Sequence, residues 1–258
     1  MLWSLQRHDK IAIATFTRPP RNFMSVAAMT ELVGVLETLA EDETISVVVL
    51  TGGVEGYFVA HADLDDLTKL GRGEHVEGDL RSWGRALGLL ESMPQPTVAA
   101  INGQAHGGGC ELSLACTLRL IASSGHMGQP EVVVGIIPGA GGTQRLPRLV
   151  GSAKGAELIL SGRRVDADEC VAIGLANAKL PDEGFVDHVV DWLQPIARQP
   201  RGALAAAKKA VVEGLRLEFA EGMRLESRLF VELQTGKEAL ELQSKAIDAY
   251  ASGSSSGL

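Results

Sequence analysis

The chain has 258 residues, 45% of them hydrophobic and 22% charged, enough apolar sequence to bury a large core without metals or disulfides. Lys and Arg number 24 against 32 Asp and Glu, and the resulting net charge of −8 argues against general binding to nucleic acid or an anionic membrane. Cys110, Cys116 and Cys170 are odd in number and lack C-x-x-C spacing, so neither a disulfide framework nor a metal site is expected, and a reducing compartment fits best.

At the start of the chain, Arg7, Asp9 and Lys10 occupy positions where a secretory signal would be apolar. No run approaches the roughly 18 apolar residues needed to cross a bilayer, so a cytoplasmic protein is expected. The alternation of Ile11 to Thr17 predicts a strand that stops at Arg18-Pro19-Pro20. Val26 to Ala40 has helical spacing, with Ser25 as N-cap. Ser46 to Thr51 is apolar on both faces, which predicts a buried strand in a parallel sheet, ending at Gly52-Gly53. Leu80 to Ser92 reads as a helix broken by Met93-Pro94-Gln95-Pro96.

A second unit follows in the same style. Thr97 to Ile101 reads as a buried strand, Asn102-Gly103 as a turn, Cys110 to Ala115 as a helix and Leu118 to Ala122 as a strand. Val132 to Ile137 is apolar and reads as a strand or a buried loop; Thr143 is the expected cap of the helix after Pro138-Gly139-Ala140-Gly141-Gly142. Recurrent strand–loop–helix units predict an α/β architecture. After about Pro181 the pattern turns helical: Phe185 to Ala197, Gly202 to Glu213, and one long stretch from Leu217 to Ala251. The expected division is an α/β core over 1–195 and a helical region over 196–258, ending in a low-complexity Ser/Gly tail over 252–257.

Thirty glycines are well above the usual share of roughly 7%, and many sit in short loops. Gly107-Gly108-Gly109 after a buried strand permits a sharp turn and close approach of a ligand. The helix that follows presents free N–H groups and a positive dipole end, suited to an anion or a developing oxyanion. Glu111 falls in its first turn, where it serves equally as an acid that compensates the dipole. Gly128-Gln129-Pro130-Glu131 places a second carboxylate near another glycine turn. Two carboxylates in different environments form a candidate acid/base pair, although Glu131 alone reads as an exposed loop residue. Gly139-Ala140-Gly141-Gly142-Thr143-Gln144 begins like a dinucleotide fingerprint but ends in Gln144; no P-loop and no H-E-x-x-H occurs. Ser113 and Ser161 lack the context of a nucleophile elbow.

The stretch Pro96–Leu149, PTVAAINGQAHGGGCELSLACTLRLIASSGHMGQPEVVVGIIPGAGGTQRLPRL, resembles the core of the enoyl-CoA hydratase (crotonase) family. Upstream, Phe58-Val59-Ala60-His61-Ala62-Asp63-Leu64 resembles its A-G-A-D-I/L segment. Downstream, Leu160 to Ala167 and Ala172 to Ala176 resemble its T-G-x-x-I-x-A and G-L-V segments, and Ala206-Ala207-Lys208-Lys209 its A-x-x-A-K pattern. The likeness spans nearly the whole chain. It implies a spiral of ββα units with a C-terminal α-helical trimerisation region, a homotrimer or a hexamer built as a dimer of trimers, and an acyl-CoA thioester as substrate. No metal and no separate cofactor are implied, since coenzyme A is part of the substrate. By position, the resemblance assigns the oxyanion hole to the N–H groups of Ala60 and Gly108. It assigns CoA contacts to Ala60, His61, Ala62, Asp63 and Gly108, proton exchange at C2 to Glu131, and activation of water to Glu111.

His61 stands where relatives often have Gly, and His106 where an apolar residue is commoner; His106 is expected to pack or hydrogen-bond behind the glycine loop. Asn22-Phe23-Met24-Ser25 matches the family's A-L-N segment only loosely. Trp83 and Leu87, at helical spacing, are expected in the core in preference to an acyl pocket. The expected activity is reversible hydration of a 2-trans-enoyl-CoA in fatty acid β-oxidation. The rivals are an isomerase or other enolate-stabilising enzyme of the same fold, and a non-catalytic or nucleic-acid-binding homologue.

Overall fold

Strand β2 (Ile11–Phe16) shows why the larger sheet forms. Ile11 and Ile13 project into one hydrophobic cluster, Ala12 and Ala14 into another, and all four are buried. β3 (Val47–Gly52), β5 (Thr97–Ile101) and β7 (Leu118–Ala122) follow the same rule. Fully burying such side chains is worth about 1.5–3 kcal/mol each, which favours the middle of a sheet covered on both faces. In the computed structural model, which describes residues 1–252, these strands lie side by side, with β1 (Trp3–His8) and β10 (Ala178–Leu180) at the edges. The order is β1-β2-β3-β5-β7-β10; β1 runs antiparallel to β2 and every other pair is parallel.

A second sheet holds β4 (Gly56–Val59), β6 (Gly103–His106), β8 (His126–Gly128) and β9 (Val165–Asp166) in that order, with only β9 antiparallel. Three times the chain leaves the larger sheet and enters the smaller one: β3 to β4, β5 to β6, β7 to β8. Helical segments follow each crossing. α2 (Leu64–Gly71) and α3 (Ser82–Ser92) follow β4, and α4 (Gly108–Ala115) follows β6. A 3-10 turn, Glu131–Val134, and α5 (Gly142–Val150) follow β8. This ββα coil is the crotonase spiral.

α1 (Val26–Glu41) starts where Ser25 accepts a hydrogen bond from the Ala28 N–H at 3.2 Å, and it buries Met29, Leu32 and Leu36 in the same cluster as Leu50, Leu90 and Ile101. The other face of the larger sheet is covered by α8 (Phe185–Ala197), whose Phe185, Val189 and Leu193 meet Ile13, Val49 and Leu120. α6 (Ser152–Ser161) and α7 (Ala167–Ala172) complete this unit, Met1–Gln199. A second unit begins at Pro200 and holds α9 (Arg201–Gly214), α10 (Phe219–Gln234) and α11 (Lys237–Ala251), with α9 packed on α10. The expected boundary at 195 falls inside α8, whose last buried residue, Ala197, still belongs to the sheet's cluster.

Several expectations change. β1 was absent from the sequence reading, because only Trp3 of its six residues is buried. Asn102-Gly103 is a strand crossing and not a reversal: Asn102 Oδ1 accepts from Gly52 N at 3.1 Å and its Nδ2 donates to Gly52 O at 2.9 Å, tying the two crossings together. Val132 to Ile137 is neither strand nor buried; Val133 and Ile137 are 74% and 66% exposed. Thr143 lies inside α5, whose N-cap is Gly141 in the left-handed region. The stretch from Leu217 to Ala251 is two helices, divided at Thr235-Gly236. Beyond Ser252 the Ser/Gly tail lies outside the described residues. Among the described residues, no helix is long and apolar enough to cross a membrane, and no cluster of His, Cys, Asp and Glu is arranged to hold a metal ion.

Candidate active site

The three parallel strands of the smaller sheet end on a common side, and the residues just after each one meet at a cavity of about 450 Å³. His61 and Ala62 follow β4, Gly107 and Gly108 follow β6, and Glu131 follows β8. Glu111, one turn into α4, lines the same space, and Val133, Val134, Ile136 and Ile137 give it an apolar side. The exposure of that 3-10 segment is therefore exposure to a cleft, typical of a ligand site.

The glycine triplet is dictated by geometry. Gly107 has φ +51°, and a Cβ on Gly109 would lie 1.9 Å from the Val59 carbonyl oxygen. The first helical amide, that of Gly108, has no intrahelical partner, as for any helix start. The Ala62 N–H likewise makes no hydrogen bond among the described residues. Ala62 N is 3.2 Å from where a Gly108 Cβ would stand, so two unused donors sit side by side. Ala60, expected to supply one of them, does not: its N–H donates to Asn22 O at 3.2 Å, and it does not line the cavity. Asp63 is also engaged elsewhere. It caps α2 through Asp65 N at 2.9 Å, pairs with Arg18 Nη1 at 2.6 Å, and borders a smaller cavity of about 260 Å³ behind Trp83.

The two glutamates differ in environment. Glu111 is 3% exposed, and its Oε1 accepts from Ala140 N at 2.7 Å and Gly142 N at 2.8 Å. Burial raises its pKa, opposed by the Gly142 and Ala140 amides and by the Arg145 charge. Glu131 is pushed up to about 7, first by burial and further by the Glu111 charge. In the amide orientation that pairs donors with acceptors, buried Gln129 donates to both Glu131 oxygens, at 2.9 and 3.1 Å. The cavity thus holds one carboxylate fixed by backbone donors and one that changes protonation near neutral pH, a combination suited to acid–base chemistry.

His61 borders the cavity with its ring stacked on Phe23 at 4.4 Å, and its Nδ1 donates to Ala62 O at 2.7 Å. His106 bonds His126, Nε2 to Nδ1, at 2.9 Å; burial, foremost, pushes both down to about 4, so both are neutral at pH 7. Leu87 is core, as expected, whereas Trp83 lines the cavity, its Cη2 only 2.6 Å from a Cβ position on Gly108. The sequence reading missed Asn22, Gln129 and Arg145. Asn22 has φ +53° and is fully buried, donating to Phe16 O at 3.0 Å and Phe58 O at 3.1 Å while its carbonyl holds the Ala60 amide. Asparagine tolerates the left-handed region better than most residues, the one signal available in the sequence.

The sequence profile of the enoyl-CoA hydratase/isomerase family matches residues 6–252. The short-chain-enoyl-CoA hydratase of Clostridium acetobutylicum is 33% identical over 88% of this chain and 87% of its own. The 2,3-dehydroadipyl-CoA hydratase of Escherichia coli is 33% identical over 92% of both chains. A crystal structure of enoyl-CoA hydratase from Bacillus anthracis superposes with a TM-score of 0.87 at 33% identity, covering 98% of this chain and 97% of that one. With its ββα spiral and a profile match along almost its whole length, the chain belongs to the enoyl-CoA hydratase/isomerase family.

Proposed function

We propose that the protein is an enoyl-CoA hydratase, adding water reversibly to a 2-trans-enoyl-CoA to give a 3-hydroxyacyl-CoA. The observation that carries this reading is the pair of differently held glutamates beside two unused amides in one cavity. The thioester oxygen binds the N–H groups of Ala62 and Gly108. Glu111 accepts a proton from water as the oxygen attacks C3. The electron pair moves through C2 into the thioester, and the amides stabilise the resulting enolate; each such donor is typically worth about 3–4 kcal/mol. Glu131, protonated near neutral pH, gives its proton to C2. Dehydration reverses every step. Coenzyme A enters as part of the substrate, and no metal or separate cofactor is used. The large apolar side chains exposed on the second unit, Phe219, Phe230 and Ile247 at 83%, 60% and 67%, support a trimer-based assembly that covers them.

The test follows ultraviolet loss of crotonyl-CoA together with deuterium incorporation at C2 of a 3-hydroxyacyl-CoA. Glu131→Gln loses both activities. Glu111→Gln loses hydration by about 10²–10⁴-fold and retains part of the C2 exchange. Near-normal hydration by either variant overturns the paired-carboxylate mechanism. A wild-type protein that shifts a double bond but hydrates no enoyl-CoA is an isomerase.

A further inference from the structure

Beyond the cavity wall, a chain of contacts runs from Glu111 to a charge that does not touch the reacting atoms. Glu111 Oε1 is held by the N–H groups of Ala140 and Gly142, which flank Gly141 at φ +101°. Arg145, one turn into α5, donates from Nη1 to Ala140 O at 2.8 Å, and its own N–H donates to Gly141 O at 2.8 Å. Its guanidinium lies against the loop backbone: a Cβ on Gly141 would be 2.2 Å from Nη1. From the other side, Glu91, in the last turn of α3, accepts from Arg145 Nε at 2.7 Å. The ion pair is largely enclosed, with side chains 25% and 13% exposed.

A loop of this kind could be pinned by neutral groups at a lower desolvation cost. A guanidinium adds a fixed fork of donors and a permanent positive charge. The ionisable groups around Glu111 are Arg145 from α5, Glu131 from the 3-10 turn, Cys110 beside it on α4, Glu91 behind Arg145 on α3, and the imidazoles of His61 and His106, which line the same cavity. Arg145 is the only permanent cation in that set, and it stands one residue's width from the two amides that hold the carboxylate.

We propose that Arg145, clamped by Glu91, is a positioning residue for Glu111: it shapes the 139–142 loop so that two amides converge on Oε1, and its charge favours the ionised form of that carboxylate, the form that takes a proton from water. The inference rests on the hydratase reading for the use of Glu111, but the device itself can be measured without turnover.

The experiment compares the full-length wild type with Arg145→Gln, Arg145→Lys and Glu91→Gln. Each is labelled with ¹³C-carboxyl Glu, and the Glu111 carboxylate is titrated by infrared difference against the same protein carrying Glu111→Gln. The kcat/KM profile for crotonyl-CoA and exchange at C2 are recorded alongside. Arg145→Gln raises the Glu111 titration midpoint by about half a pH unit or more, as removal of a near positive charge requires. The acid limb of the hydration profile moves the same way. Hydration kcat falls about tenfold or more, KM changes less, and C2 exchange through Glu131 falls less than hydration. Arg145→Lys restores the midpoint more than it restores kcat, because it keeps the charge and loses the fork. Glu91→Gln gives a smaller loss of kcat and keeps the midpoint near that of wild type, and it provides the test should Arg145→Gln fold poorly. An unmoved Glu111 midpoint in folded Arg145→Gln, or equal kcat losses in the Gln and Lys variants with an unmoved acid limb, overturns the proposal. A wild type that hydrates nothing while the midpoint still shifts refutes the hydratase reading and leaves the positioning device standing.

Discussion

Replacing Glu131 with Gln should make the protein more stable at alkaline pH and leave it unchanged in acid. Burial, with the Glu111 charge behind it, raises the Glu131 pKa to about 7 from an ordinary 4.5. A folded-state pKa above the unfolded value means that the native protein holds the proton more tightly than the unfolded chain. That contribution is fully present below pH 4.5 and is lost as pH rises through 7. At about 1.36 kcal/mol per pH unit, a wholly enclosed carboxylate would lose about 3.4 kcal/mol over this interval; Glu131 faces an open cleft, and solvent screening reduces the figure to about 1–2 kcal/mol. Gln has the same shape and does not titrate. The stability difference between Glu131→Gln and wild type should therefore be near zero at about pH 4, grow through the window from 4.5 to 7, and level off at about 1–2 kcal/mol in favour of the variant by about pH 8.5. Urea unfolding followed by tryptophan fluorescence at one fixed protein concentration measures it. A difference that does not change with pH, or a variant less stable than wild type at pH 8.5, refutes the reasoning.

Other consequences are open to measurement. Gly108 is the first residue of α4, where the backbone accepts proline, so Gly108→Pro in a Trp83→Leu background, which removes the indole that would collide with the ring, should keep its helical circular dichroism and lose hydration by about 10² or more; a folded variant with the rate of its background excludes the Gly108 N–H from the mechanism. Asn22→Ala removes donors from the buried carbonyls of Phe58 and Phe16, the latter still held by the Gly53 N–H at 2.7 Å, and strands the N–H of Arg18; it should cost about 1–3 kcal/mol in denaturant unfolding, with a loss below about 0.5 kcal/mol contradicting its role as a hub. Sedimentation at micromolar concentration should show a trimer-based species that Phe230→Glu dissociates, and a stable wild-type monomer of 27.2 kDa would defeat that expectation.

What could be read directly from the sequence follows from how much of each element's signal is local. β3, β5 and β7 are apolar on both faces over five or six residues, a pattern with few other homes than a covered parallel sheet. The strands of the smaller sheet carry no such pattern. Gly103–His106 alternates between buried and half-buried positions using Gly, Gln, Ala and His, so its two glycine-adjacent residues read as a turn. At the site, Glu111 and Glu131 stand out in the sequence because carboxylates beside glycine turns are conspicuous, and the structure brings both to one cavity. That the Ala60 amide, assigned to the oxyanion hole by resemblance, is engaged is a long-range fact: its acceptor is the carbonyl of Asn22, 38 residues upstream, and nothing between the two positions betrays it. Arg145 escaped notice similarly. On its own helix it is one more basic residue, and its meaning comes from Glu91, 54 residues away.

Ala62, Gly108 and Glu131 each come two or three residues after one of three neighbouring parallel strands of one sheet, strands that run about 4.8 Å apart. The backbone ladder acts as a ruler for the chemistry. The Ala62 and Gly108 amides come from neighbouring rungs, on a backbone held by main-chain hydrogen bonds between the strands. Glu131 follows the next rung, and Glu111 stands off the ladder in the first turn of α4. Such a layout separates what every sequence must provide, the backbone amides at the strand ends, from what a substitution can change, the carboxylates that face them across the cavity.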